Sequence, residues 1–245
     1  MKNIRIGIGG WNFPEWRNGV FYPDDLPQRR ELEFASRALT SIEINATYYG
    51  SQKPESFQKW HDETPDDFVF AVKASRFATN RKIMAEAGES VGRFLNSGIS
   101  RLGSKLGPIN WQLAETKKFD PDDFAGFLKL LPATLDGLTL RHAVEARHDS
   151  FAADDAIALC RQHGVALIRS GDSKFPEIDA NTADFAYLRI MGTTDQPQGY
   201  SDADLDRWAD QAKEIAKDRD LYLYVISGQK IRNPAAAQAL IERIK

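Results

Sequence analysis

Cysteine is almost absent from this chain. Cys160 is the only one in 245 residues, so no intrachain disulfide can form, and nothing points to an oxidising compartment. It lies in Ala156-Ile157-Ala158-Leu159-Cys160, the expected apolar face of a helix, with no adjacent histidine or basic pair to lower its pKa. A small buried core residue is expected there, not a reactive thiol. No run approaches 18 uninterrupted apolar residues, so no membrane-spanning helix is expected. Met1-Lys2-Asn3-Ile4 enters a strand-like run with no apolar leader, and a cytoplasmic location is the expectation. Charge of one sign is not in excess either: 32 Lys and Arg face 35 Asp and Glu, a net −3. That balance excludes an extended nucleic-acid surface or a membrane-surface partner but leaves room for a local basic pocket. Only four histidines occur, without H-x-H or H-E-x-x-H spacing.

The rest of the composition is that of an ordinary globular protein, with 42% hydrophobic and 27% charged residues. A chain of this length removes roughly 70–75% of its unfolded surface from water, so no metal or disulfide staple is needed for stability. Eight short runs rich in β-branched and aromatic residues recur: 4–10, 41–47, 68–75, 108–113, 142–147, 165–171, 185–192 and 221–228. Between them, helical periodicity spans 28–39, 54–63, 78–97, 121–131, 152–163, 202–218 and 234–244. Asp120 before Pro121, Ser201 before Asp202, and Asn233 before Pro234 are start signals, and Gly164 is a stop. This alternation predicts a parallel sheet, and eight units in one domain (1–245) match a TIM-like (βα)8 barrel. A doubly wound dinucleotide fold would instead want Gly-x-Gly-x-x-Gly opening a helix, whereas Gly7-Ile8-Gly9-Gly10-Trp11 enters an aromatic loop.

In a barrel the outward strand face meets apolar helices, so the polar members of a period-2 alternation point inward. Ile42 and Ile44 face out while Glu43, Asn45 and Thr47 face in; Phe70 and Val72 face out while Lys73 and Ser75 face in. Asn110 and Gln112 face in, as do Glu145 with Arg147 and Tyr187 with Arg189, and Tyr222 and Tyr224 come from the last strand. The sixth strand is ambiguous, because Arg169 and Asp172 have opposite parity. Barrel enzymes build their sites at the C-terminal strand ends, where these groups gather. Isolated buried charges cost several kcal/mol each, so the acids and bases must pair with one another or await a ligand. A self-satisfied ion-pair plug is one reading; a site for an anionic small molecule, given the cations Lys73, Arg147 and Arg189, is the other.

Loops at the same rim add Trp11, Phe13, Trp16, Phe21 and Tyr22 after the first strand, either a stacking lid or a hydrophobic staple. Arg76, Arg81 and Lys82 follow the third strand. Gly228 and Lys230, ahead of the last helix, are a candidate phosphate cradle.

A wider pattern runs through Gly9-Gly10-Trp11-Asn12-Phe13, Glu43-Ile44-Asn45, Thr47-Tyr48-Tyr49, Phe70-Ala71-Val72-Lys73-Ala74, Leu106-Gly107-Pro108, Glu145-Ala146-Arg147-His148-Asp149-Ser150-Phe151 and Phe185-Ala186-Tyr187-Leu188-Arg189. In order and spacing this resembles the domain-of-unknown-function 72 family, the YecE-like proteins. The resemblance implies a TIM-barrel-like fold and no established reaction. The family's motif positions fall on Glu43, Asn45, Lys73, Gln112, Glu145, Arg147, His148 and Arg189. Two places depart from it: Ile226-Ser227-Gly228-Gln229 stands where the family reads an aromatic and Asn-Asn-Asp, and Met191 where it has histidine.

Three functions compete. The first is an enzyme on a small anionic or polyhydroxylated molecule, with Glu43 and Glu145 as base and acid, His148 near them, and Lys73 as a cation or, if desolvated, a Schiff-base nucleophile. Glycoside hydrolysis is a subcase, judged by carboxylate separation. Ligand contacts are expected from Trp11, Asn45, Gln112, Arg147, Asp172, Tyr187, Arg189 and Gly228. The second is a metal-dependent hydrolase or isomerase using Glu43, Glu145, Asp172 and His148; no cofactor is otherwise implied. The third is a non-catalytic binding protein on the same barrel.

Overall fold

The computed structural model describes residues 2–245. In chain order the elements are β1 (Ile4–Gly9), α1 (Glu31–Ala38), β2 (Ser41–Ile44), α2 (Ala46–Tyr49), α3 (Pro54–Glu63), β3 (Val69–Lys73), α4 (Arg76–Thr79), α5 (Gly88–Leu95), β4 (Leu106–Gln112) and α6 (Pro121–Leu128). There follow β5 (Thr134–Leu135), β6 (Leu138–Thr139), β7 (His142–Glu145), α7 (Asp154–Gln162), β8 (Ala166–Leu167), β9 (Arg169–Gly171), β10 (Phe185–Ile190), α8 (Asp202–Ile215), β11 (Asp220–Val225) and α9 (Asn233–Ile244). All eight expected runs are strands, and every pairing among them is parallel.

The nine-stranded sheet runs β8-β7-β4-β3-β2-β1-β11-β10-β9. Its two ends, β8 and β9, are halves of one strand separated only by Ile168, whose amide donates to the Val144 carbonyl at 2.9 Å. The first half pairs with β7 and the second with β10, so the sheet returns on itself as a nearly closed barrel.

Two apolar layers follow from the alternation. The larger lies between the sheet and the helices and includes Ile42, Ile44, Phe70, Val72, Trp111 and Val144. The smaller fills the lumen with Ala71, Ala143, Ala166, Ile168, Phe185, Tyr187, Tyr222 and Tyr224. Large rings come from β10 and β11 while β3, β7 and β8 contribute alanine, so size complementarity fills the interior. Gly7 marks the tightest approach between strands: a Cβ there would stand 1.8 Å from the Ser41 carbonyl oxygen.

Local signals behave as their chemistry requires. The Asp120 and Ser201 side chains accept from the amides of Asp123 and Asp204 and cap α6 and α8. Gly164 takes φ +62° past α7. Cys160 is buried, and burial pushes its thiol up to about 12. Three features differ from expectation. The segment 78–97 is not one helix but α4, a 3-10 turn at Met84–Glu86, and α5. The polar run Asn80-Arg81-Lys82 offers no apolar face to bury, and Asp123 pins the turn by accepting from the Ala85 amide at 2.8 Å. The β5-β6 hairpin was not anticipated, although Asp136 and Gly137 at φ +48° and +81° form the Asp-Gly turn that such hairpins favour. Asn233 lies inside α9 instead of capping it, and its Oδ1 accepts from the Thr193 hydroxyl at 2.8 Å.

Candidate functional site

The inward charges converge at the C-terminal ends of β2, β3, β4, β7 and β10. Arg189 is the hub: its Nη1 donates to Glu145 Oε2 at 2.5 Å and its Nη2 to Glu43 Oε1 at 3.0 Å. Asn110 Nδ2 reaches both acids, Glu43 at 3.2 Å and Glu145 at 3.4 Å. The Tyr187 hydroxyl donates to Glu43 Oε2, and Arg147 donates through Nε and Nη2 to Glu145 Oε1 at 2.9 and 2.8 Å. Every oxygen of the two carboxylates therefore already accepts a hydrogen bond. Glu43 and Glu145 are both 0% exposed, so these bonds are what make their burial tolerable.

Lys73 stands apart within this cluster. It is 7% exposed, its Nζ lies 4.5 Å from the centroid of the Tyr48 ring, and among the described residues it forms no salt bridge. Burial, then the neighbouring Arg189, push the amine down to about 8 against the pull of Glu43 and Glu145. Burial alone would raise Glu145, but Arg189, Arg147 and Lys73 outweigh it and hold that carboxyl below its ordinary value. Tyr187, buried beside Glu43, is held well above the ordinary phenol value. Gln112 ties the rim together: its Oε1 accepts from Arg147 Nη2 at 2.7 Å and its Nε2 donates to the Tyr48 hydroxyl at 3.3 Å. Phe175 lies over the Arg147 guanidinium at 4.3 Å from ring centroid.

Of the expected site residues, Glu43, Lys73, Gln112, Glu145, Arg147, Tyr187 and Arg189 are brought together. Asn45 is beside them at the top of the barrel, close under Gly9, and its buried Oδ1 has no hydrogen-bond partner. The other four lie elsewhere. His148 caps the turn at Asp149–Ala152, its Nδ1 accepting from the Ser150 amide at 3.2 Å. Trp11 packs edge-on against Trp60 of α3, in the outer layer. Asp172, in the left-handed region at φ +50°, turns outward to accept from Trp208 Nε1 at 2.8 Å. Arg169 also points outward, to Glu177 and Asp179, so β9 sends Ser170 inward beside Arg189.

Gly228 is held by packing. At φ +91°, a Cβ there would stand 2.4 Å from the Thr193 carbonyl oxygen. Lys230 turns away over the Phe13 ring at 3.1 Å and toward Glu15 at 3.5 Å, so the pair forms a strand-end clasp, not a cradle. Gly228→Ala should cost about 1–3 kcal/mol in urea unfolding through backbone strain and that clash; an unchanged midpoint would contradict the placement. The aromatic loop after β1 forms a staple: Trp16 is fully buried and its Nε1 donates to the Lys230 carbonyl at 2.9 Å. The two departures from the family pattern meet in space, Ser227 Oγ donating to the Met191 carbonyl at 3.5 Å.

Asn110 and Tyr48 belong to the site but were not among the expected contacts. Alternation places Asn110 inward two residues before Gln112, which was signal enough. Tyr48 lies in the single turn of α2, where period 2 has ended. Among the described residues no group of three or more His, Cys, Asp and Glu side chains is placed to hold a metal ion. The set Glu43, Glu145, Asp172 and His148 is not assembled: Arg189 bridges the first two and the others are turned away.

No helix of the described residues is long and apolar enough to cross a membrane. The chain is 30% identical over 225 residues to UPF0759 protein YecE of Escherichia coli K12, covering 80% of this chain and 76% of the relative. The crystal structure of a DUF72 family protein from Thermotoga maritima superposes with TM-score 0.78 at 22% identity, covering 99% of this chain and 98% of that one. D-psicose 3-epimerase with D-tagatose, from Clostridium cellulolyticum H10, shares the fold at TM-score 0.55 and 11% identity over 98% of this chain and 95% of its own. A model of the family described as protein of unknown function DUF72 matches residues 5–245, and the chain belongs to that family.

Proposed function

We propose that this protein is an enzyme acting on a small anionic or polyhydroxylated molecule at the C-terminal mouth of the barrel, with Lys73 as the amine that meets it. One observation carries the reading: among the described residues Lys73 has no anionic partner, while its neighbours Arg147 and Arg189 each hold a carboxylate. A buried amine poised near 8 is partly neutral at physiological pH. It can add to an aldehyde or ketone carbon and, with loss of water, form an imine. Glu43 and Glu145 then serve as fixed charges that orient Arg189 and offset Lys73. Glycoside hydrolysis, which needs a sugar between two carboxyl groups, fits less well, because Arg189 fills the space between them. The similarly folded D-psicose 3-epimerase makes polyhydroxylated carbonyl compounds the first substrates to test.

Borohydride reduction in the presence of glyceraldehyde or dihydroxyacetone should give one dominant adduct, mapped by peptide mass to Lys73. Its yield should rise between pH 7 and 9. Adducts scattered over surface lysines with none enriched at Lys73 would remove this role.

A further inference from the structure

Beside the Lys73 site, between the loops that follow β3 and β4, lies an open groove of about 710 Å³ lined by Asn80, Arg81, Lys82, Thr116, Lys117 and Lys118. One side chain links it to the site. The Tyr48 hydroxyl accepts from Asn80 Nδ2 at 3.5 Å on the groove side, while the Tyr48 ring covers Lys73 Nζ. The groove is also held in shape. Lys117 Nζ donates to the Lys82 carbonyl at 2.7 Å and to Asp123 Oδ2 at 2.5 Å, tying the two loops together. Arg81 donates only to the Glu86 carbonyl. Among the described residues Arg81, Lys82 and Lys118 have no carboxylate within ion-pair distance, and Asp123 is neutralised by Lys117.

We infer that this groove binds the phosphate-bearing part of the substrate, which makes the substrate a phosphorylated small molecule whose carbonyl end reaches Lys73. The place of the reacting end rests on the role proposed for Lys73; the anion site does not. Three cations without acid partners suit a group with two negative charges and several acceptor oxygens. The volume falls within the roughly 300–1,000 Å³ of small-molecule sites. A nucleic-acid strand fits less well, because Asp120, the cap of α6, also lines the groove and the chain as a whole carries −3.

The test is thermal-shift titration at low ionic strength with inorganic phosphate, pyrophosphate and a short oligothymidylate. Phosphate and pyrophosphate should stabilise the protein saturably. The double variant Lys82→Gln with Lys118→Gln should weaken their apparent affinity about tenfold or more, as expected for lost charge-assisted contacts. Lys73→Met should leave phosphate affinity essentially unchanged. Absence of saturable binding, or an unaffected double variant, would overturn the inference. Tighter binding of oligothymidylate than of pyrophosphate would overturn it in favour of a strand-binding surface. Loss of phosphate binding in Lys73→Met alone would move the anion to the amine, ending the groove assignment while leaving the Lys73 reading intact.

Discussion

Replacing Arg189 with methionine should destabilise the protein by about 3–5 kcal/mol, the usual cost of stripping one partner from a buried ion pair. The size of the effect follows from geometry. One guanidinium links two fully buried carboxylates, and both lose a charged donor together. For a chain of this size that loss corresponds to a fall of roughly 6–20 °C in Tm. The deficit should depend on pH. In the folded protein Glu145 is held below its ordinary value, so its share of stability is present above the normal carboxylate range and disappears as pH falls through the lowered value. In the variant that share is already missing, so wild type and variant should converge on acidification. Adding Glu43→Gln alone to the variant should recover part of the loss, since Glu43 then carries no charge and Glu145 keeps Arg147 as its partner. Denaturant unfolding at neutral and acidic pH checks this; a variant within about 1 kcal/mol of wild type at pH 7 would show that the hub carries little energy.

Lys73→Met should move stability and function in opposite directions. The gap between about 8 and the ordinary 10.5 corresponds to about 3 kcal/mol of burial cost borne while the amine is charged. Folded protein gives up this proton near 8, whereas an unfolded lysine keeps it to about 10.4. Across that window the folded state binds fewer protons, so wild-type stability climbs with pH. The cost is in full force below pH 8, where methionine, of similar length and uncharged, should stabilise by about 1–3 kcal/mol. That advantage should shrink as pH rises toward 10. Removing Lys73 also leaves a balanced set, two arginines with two glutamates, so no new unpaired charge is created. The same variant should lose the borohydride adduct entirely. A loss of stability at pH 7 would mean that the ammonium is held by attraction stronger than its desolvation.

The barrel and the heart of the site were legible because one rule governs both. Where a short strand has one face against helices, period 2 decides direction, and it sent Glu43, Lys73, Gln112, Glu145, Arg147, Tyr187 and Arg189 inward. Partners were a different matter: Arg189 and Glu43 are 146 positions apart in sequence, and alternation gives a side without giving a neighbour. The rule also stops at the strand end. Asp172 and His148 follow β9 and β7 by one and three residues, and there the turn sets direction: φ +50° swings Asp172 to Trp208, and a capping bond holds His148. Gly228 carries a sequence signal that suits either a phosphate loop or a tight clasp, and only the proximity of Thr193 distinguishes them. The hairpin at Asp136-Gly137 carried a turn signal, but its strands of two residues each are too short for alternation to show.

Lys73 is a buried amine with no acid bound to it among the described residues. Carbon-13 NMR of the lysine Cε signals, with Lys73→Arg to assign the resonance, reads its titration directly. A midpoint near 8 is expected. A midpoint at or above the ordinary lysine value of about 10.4 would contradict it.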